Sequence, residues 1–226
     1  MDNNLRILLP DKLELSREVE ADIWAASAAA SNLFSSEISG LGRIEEKDSR
    51  FYCSEIMIAE QKSRVEETRF RDEGRWFQEF SANITQKGIS LSEFRMWWHS
   101  HGRASVGYSS RDWETITEVF LKSMLNDLHA SLYSKNGFVP ERTVSGPLIS
   151  LVANARGEMT ARCDFLYRRK DENGAELLNL LTLYLPVMRN FSPPFDNILL
   201  EDQDFLKKRY ALISEEVKRK VGRLRR

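Results

Sequence analysis

The spacing of apolar residues changes several times along the chain, and each change predicts an element. Leu5 to Leu9 is a short apolar run stopped by Pro10, which reads as a strand. Val19, Ile23, Ala26, Ala30 and Leu33 then recur at steps of four and three, the spacing of one helical face. Ser16 is placed to cap that helix, and Glu18 and Glu20 suit its positive end. Gly40 and Gly42 punctuate the chain before a β-rich run, Phe51 to Ala59, and a polar stretch from Glu60 to Glu67. Trp76, Phe77, Phe80 and Ile84 predict a second helix that Gly88 stops. Phe94 to Trp98 is aromatic and short, and predicts a strand. Ile116, Val119, Phe120 and Leu125 predict a third helix starting near Ser110.

Pro147 to Ala153 and Met159 to Leu166 read as two strands, with Asn154-Ala155-Arg156-Gly157 as the hairpin turn. Leu177 to Val187 is apolar almost throughout, and Thr182, Tyr184 and Pro186 favour a strand over a helix. Asn190 to Asn197, with Pro193-Pro194, breaks structure. Leu206, Tyr210, Ile213, Val217, Val221 and Leu224 form a last helical stripe, acidic at its start and basic at its end, as the helix dipole prefers. The expected class is α/β or α+β. The expected organisation is a domain over 1–188, a linker over 189–200 and a C-terminal amphipathic helix over 201–226. That stripe needs a cover: the domain itself, a second copy, or a partner protein.

Composition narrows the class. The chain has 226 residues, 30% charged and 42% hydrophobic, too apolar for a disordered chain. It has no apolar run of about 18 residues, the length a membrane-spanning helix needs. Met1-Asp2-Asn3-Asn4 lacks the pattern of a secretory signal, so a soluble, cytoplasmic protein is expected. Cys53 and Cys163 are too few for a disulfide scaffold or a Cys-rich zinc site, and read as strand-packing residues. The net charge of -1 argues against nucleic acid as the main partner of the whole chain.

The chemistry gathers between residues 99 and 112. His99 and His101 are two apart on a predicted strand, so they share one side, a ready start for a metal site. Seven residues separate His101 from Ser109, and two more separate Ser109 from Asp112. Gly102 and Gly107 let the chain turn back and bring Asp112 near the start of a helix as a third ligand. Two His and one Asp leave an open position on a tetrahedral zinc, the catalytic pattern. The same donors also suit iron or manganese. A plainer reading exists: Asp112 is only a helix N-cap and Ser109 only a turn residue, the usual roles of these residues at a helix start. By strand alternation, one of Trp97 and Trp98 faces the site and the other the core. His129 lies beyond the motif and reads as a helix-end or surface residue.

This stretch closely resembles the JAMM motif (also called MPN+ or JAB) of zinc metallo-isopeptidases, in the form seen in prokaryotic and phage-type members. The resemblance covers roughly Val19 to Leu166 and implies a mixed sheet flanked by helices, cytidine-deaminase-like, carrying one zinc ion per chain. It implies His99, His101 and Asp112 as ligands, Glu37 before Ser39-Gly40 as general base, and Ser109 as the donor to a developing oxyanion. Glu45, Glu46 and Glu55 are rivals for the base. Gly102 stands where many members carry Pro. Trp97, Arg103 and Tyr108 are candidates to bind substrate, and Arg111 lies in the same loop. The implied activity is hydrolysis of an amide or isopeptide bond after the tail of a ubiquitin-like protein, in deconjugation, precursor trimming or sulfur-carrier processing. Implied partners are that protein or its conjugate, and activating- and conjugating-enzyme-like proteins of a bacterial, including antiviral, conjugation system. A homodimer or partner docking through the C-terminal helix stays open, and so does the alternative of a non-catalytic MPN scaffold. A zinc deaminase is excluded, because neither cysteine has a Cys-x-x-Cys partner.

Overall fold

A computed structural model describes residues 11–48, 50–64, 67–70, 73–117, 147–170, 173–191 and 200–223. The strand expected at Leu5 to Leu9, the third helix beyond residue 117, His129 and the Pro193-Pro194 break lie outside them. The described elements are an eight-stranded mixed sheet, a three-stranded sheet and four α-helices, an α+β arrangement. No helix among the described residues is long and apolar enough to cross a membrane.

Strand β1 (Leu13–Leu15) leads into α1 (Arg17–Phe34), and Ser16 caps that helix by accepting from the Val19 amide. The hairpin β2 (Ser39–Lys47) and β3 (Arg50–Ile58) follows, then β4 (Gln61–Arg64), β5 (Glu67–Phe70) and α2 (Glu73–Gln86). A 3-10 turn at Leu91–Glu93 precedes β6 (Met96–Ser100), and α3 (Ser110–Thr115) follows it. Then come β7 (Leu148–Ala153), β8 (Met159–Lys170), β9 (Glu176–Leu185), β10 (Val187–Met188), α4 (Leu200–Lys220) and β11 (Val221–Arg223). The large sheet runs in the order β10-β1-β3-β2-β6-β7-β8-β9. Most neighbours are antiparallel; β6 with β7, and β1 with both β3 and β10, are parallel.

Alternation along β6 splits its two tryptophans. Trp98 is fully buried in the main core, with Ile23, Ala26 and Ala30 of α1 and Leu151 of β7. Trp97 packs in a smaller cluster with Ile116 and Leu148. His99 therefore shares the Trp97 side of the sheet.

Two sequence expectations are corrected. Gly40 and Gly42 do not break the chain; both lie inside the continuous strand β2. A Cβ on Gly40 would collide with the Met57 carbonyl oxygen and lie 2.7 Å from Trp98 Nε1, so the glycine serves close strand packing. The last helix stops at Lys220, and Val221 to Arg223 pair in parallel with Gln61 to Ser63. Gly222 is a poor helix former, and strand pairing satisfies the backbone there.

The stripe on α4 is covered by this chain. Ile213 and Val217 join the main core, and Leu206 packs with Ala21 and Phe191. Arg209 forks onto Asp22 of α1, with Nε 2.6 Å from Oδ1, and Arg17 reaches Asp202 at 2.5 Å. Glu20, fully buried on α1, accepts from Arg189 Nε at 2.6 Å and from the Asn190 amide at 2.5 Å.

Candidate metal centre

The site forms where β6 ends. His99 is the fourth residue of that strand, in register with Ser39 of β2 and Val152 of β7. His101 lies just past the strand, where its amide donates to the Ala153 carbonyl at 2.9 Å. The β7–β8 turn then clamps the following loop. The Ala155 amide donates to Gly102 O at 2.7 Å, and Asn154 Nδ2 donates to Ala104 O at 2.9 Å. Gly102 has φ +56°, a left-handed turn that glycine takes without strain.

Asp112 is brought in by the start of α3. The Ser109 hydroxyl accepts from the Asp112 amide, while the Ser109 amide and hydroxyl both donate to Asp112 Oδ2, at 2.6 and 2.8 Å. This is a reciprocal capping box. The cap is therefore Ser109 and not Asp112, which stands three residues further on and whose carboxylate also faces both histidines.

His99 Nε2 lies 3.0 Å from Asp112 Oδ1, His101 Nε2 lies 3.2 Å from Oδ2, and the two Nε2 atoms are 3.1 Å apart. His99 is 3% exposed and Asp112 7%. A tetrahedral ion with bonds of about 2.0–2.1 Å would space its donors about 3.3–3.4 Å apart. The observed triangle is within a few tenths of that spacing. The tautomer of His101 agrees: Nδ1 is 3.0 Å from the Ser105 carbonyl, which can only accept. In a neutral His101 the proton therefore sits on Nδ1, and the Nε2 lone pair faces a carboxylate oxygen. Only a proton or a cation between them relieves that repulsion. His99, His101 and Asp112 could hold a metal ion.

The electrostatics follow the same logic. Burial favours the neutral form of His99 and lowers its pKa. The hydrogen bond to Asp112 raises that of His101, and Glu37 nearby adds to the rise. Burial would raise Asp112, but the bonds from His101 and His99 outweigh it and hold it well below the usual carboxylate range.

The triad opens into a cavity of about 1060 Å3. Glu37, Ser109, Trp97 and Arg103, all singled out from sequence, line it, as does Arg111. Glu37 sits in the short loop between α1 and β2. The next residue is tied down: Ile38 N donates to Ser100 Oγ at 3.1 Å, and Ser100 N donates to Ile38 O at 2.8 Å. Trp97 stacks on His99, with ring centroids 4.4 Å apart at 19°. Tyr108 stands apart from the lining; its hydroxyl donates to the Ser150 carbonyl at 2.6 Å. Glu45, Glu46 and Glu55 lie on β2 and β3, and none lines this cavity.

Sequence reasoning missed two supports. The end of α1 supplies Ser31, Asn32, Ser35 and Ser36 to the cavity wall. Arg162 of β8, fully buried, forks onto Asp164 and lies 3.6 Å from the centroid of Trp113, the residue after Asp112. Its signal was present: Arg162 and Asp164 are two apart, so they share one face, between Ala161, Cys163 and Phe165. No protein-family model and no curated protein matches the chain, so the chemistry of this site is read from its own geometry.

Proposed function

We propose that the chain is a zinc-dependent amide hydrolase of the JAMM type, with a JAB-like fold, that cuts an amide or isopeptide bond after the tail of a ubiquitin-like protein. The observation that carries this reading is the triangle of His99, His101 and Asp112 donors, 3.0 to 3.2 Å on a side, opening onto a cavity walled by Glu37 and Ser109. The donor set, two imidazoles and one carboxylate, is that of a catalytic rather than a structural zinc. Such an ion, when bound, supplies a water of lowered pKa and a Lewis acid for the scissile carbonyl.

The protein groups divide the remaining work. The Glu37 carboxylate takes a proton from the attacking water and delivers it to the leaving amine. The Ser109 hydroxyl rotates from Asp112 to the carbonyl oxygen on which charge develops. The Ser109 amide, 2.6 Å from Asp112 Oδ2, keeps that carboxylate in place while the hydroxyl turns. Trp97, flat against His99, fixes the imidazole plane and presents an apolar wall to substrate.

The test is metal content of the purified protein by mass spectrometry, beside His99→Ala and Asp112→Ala. The expected result is near one zinc per chain, lost in both variants. Glu37→Gln should keep the metal and abolish cleavage of ubiquitin-like fusions. A wild-type chain that binds no metal after zinc is supplied would overturn the reading in favour of a scaffold.

A further inference from the structure

A second cavity, about 800 Å3, adjoins the first: Asn32 and Arg103 line both. Its aromatic floor is Trp24 of α1 and Tyr210 of α4, with ring centroids 6.0 Å apart. Trp24 is fixed by its indole N–H, which donates to the Ala155 carbonyl at 3.2 Å. Arg103, Arg156 and Lys207 stand around this floor, and no carboxylate among the described residues lines it.

Among the described residues the three cations have little to neutralise them. Arg103 reaches the neutral Asn32 Oδ1, at 3.3 Å. Arg156 lies 3.6 Å from Glu158, and Lys207 lies 3.9 Å from Asp204. Exposed pairs at such distances contribute close to nothing. An apolar floor ringed by three such cations complements an apolar side chain flanked by carboxylates.

We infer that this groove is a recognition subsite for an acidic peptide segment of the substrate, seating an apolar side chain on Trp24 and Tyr210 and acidic neighbours against Arg156 and Lys207. The inference rests on the amide-hydrolase reading for one point: the chain in the groove is continuous, past Arg103, with the chain at the metal centre. That continuity favours a peptide over a nucleic acid. So does the net charge of -1, which gives the chain no broad positive field for a polyanion.

Calorimetry on the full chain, with and without chelator, tests it. The probes are an acetylated Glu-Glu-Leu-Glu-Glu amide, its Gln-Gln-Leu-Gln-Gln counterpart and a thymidine oligonucleotide. The acidic peptide should bind saturably, at least tenfold more tightly than the glutamine peptide. The double charge reversal Arg156→Glu/Lys207→Glu should weaken it at least tenfold; the milder Arg156→Gln/Lys207→Gln should weaken it less, with an unchanged thermal transition. Equal binding of the two peptides, or of wild type and double variant, would overturn the subsite. Tighter binding of the oligonucleotide, lost in the same variant, would overturn it in favour of nucleic acid. Neither metal nor turnover enters this readout, so a failed metal assay leaves its outcome separately legible.

Discussion

His101 Nε2 lies 3.2 Å from Asp112 Oδ2, while its Nδ1 faces the Ser105 carbonyl at 3.0 Å. The ring is thus held from both ends, and the space between Nε2 and the carboxylate is claimed by either a proton or a metal. Because Asp112 raises the His101 pKa above the ordinary 6.5, the proton is retained to a higher pH than in a free imidazole. Metal affinity should therefore begin to fall on acidification while the pH is still above 6.5, with proton release on binding. Calorimetry in buffers of different ionisation enthalpy measures that release. In the metal-free chain the sign is the opposite: the contribution of His101 to stability is complete below 6.5 and is lost as pH rises through its raised value. Metal-free protein should lose this contribution on the alkaline side; loaded protein should not.

Ser109→Ala separates two roles. Loss of the cap on α3 should cost about 1 kcal/mol of stability in urea titration. Loss of a donor to the oxyanion should lower kcat by about 10²–10³. A turnover drop of only a few-fold would leave Ser109 with the cap alone.

Gly40→Ala places a methyl group against the Met57 carbonyl and the Trp98 indole. Backbone must move, and overpacking of this kind costs about 1–3 kcal/mol. Because β2 follows the Glu37 loop, turnover per folded molecule should also fall, while metal content stays near wild type.

Glu20→Ala leaves Arg189 and the Asn190 amide without their carboxylate. Breaking a buried pair this way costs about 3–5 kcal/mol, so a marked drop in the urea midpoint is expected.

Cys53 and Cys163 are both fully buried. Burial pushes the Cys53 thiol up to about 12, and raises that of Cys163 as well. Neither should react with a maleimide at pH 8 in the folded chain, and both should react in denaturant, counted by mass.

Elements whose signal is local were legible in the sequence. Ser16 with the four-three spacing after Val19 marks α1, and the Asn154 to Gly157 turn marks the β7–β8 hairpin. The spacing of His99, His101, Ser109 and Asp112 was legible because strand alternation and a capping box are both short-range devices. What was missed depends on partners far along the chain. The glycines of β2 are explained by Met57 and Trp98 at Gly40 and by Met96 and Cys53 at Gly42. Asp22 of α1 finds its partner, Arg209, only when the last helix packs against it. Alternation puts Arg162 and Asp164 on one face, but their burial follows only from the folded sheet and the packing of Trp113. The end of α1 reaches the cavity only because of how the helix packs.

Glu20 and Asp22 tie the first helix to the last quarter of the chain. Their partners Arg189 and Arg209 lie 169 and 187 residues downstream. The segments that bring Arg189 and Arg209 also pack against α1, so the same parts of the chain cover these carboxylates and supply their cations. The end of α1 walls the cavity. A truncation before Arg189 should therefore remove both ion pairs and the cover of α1 together, and loosen a wall of the metal centre without touching a ligand.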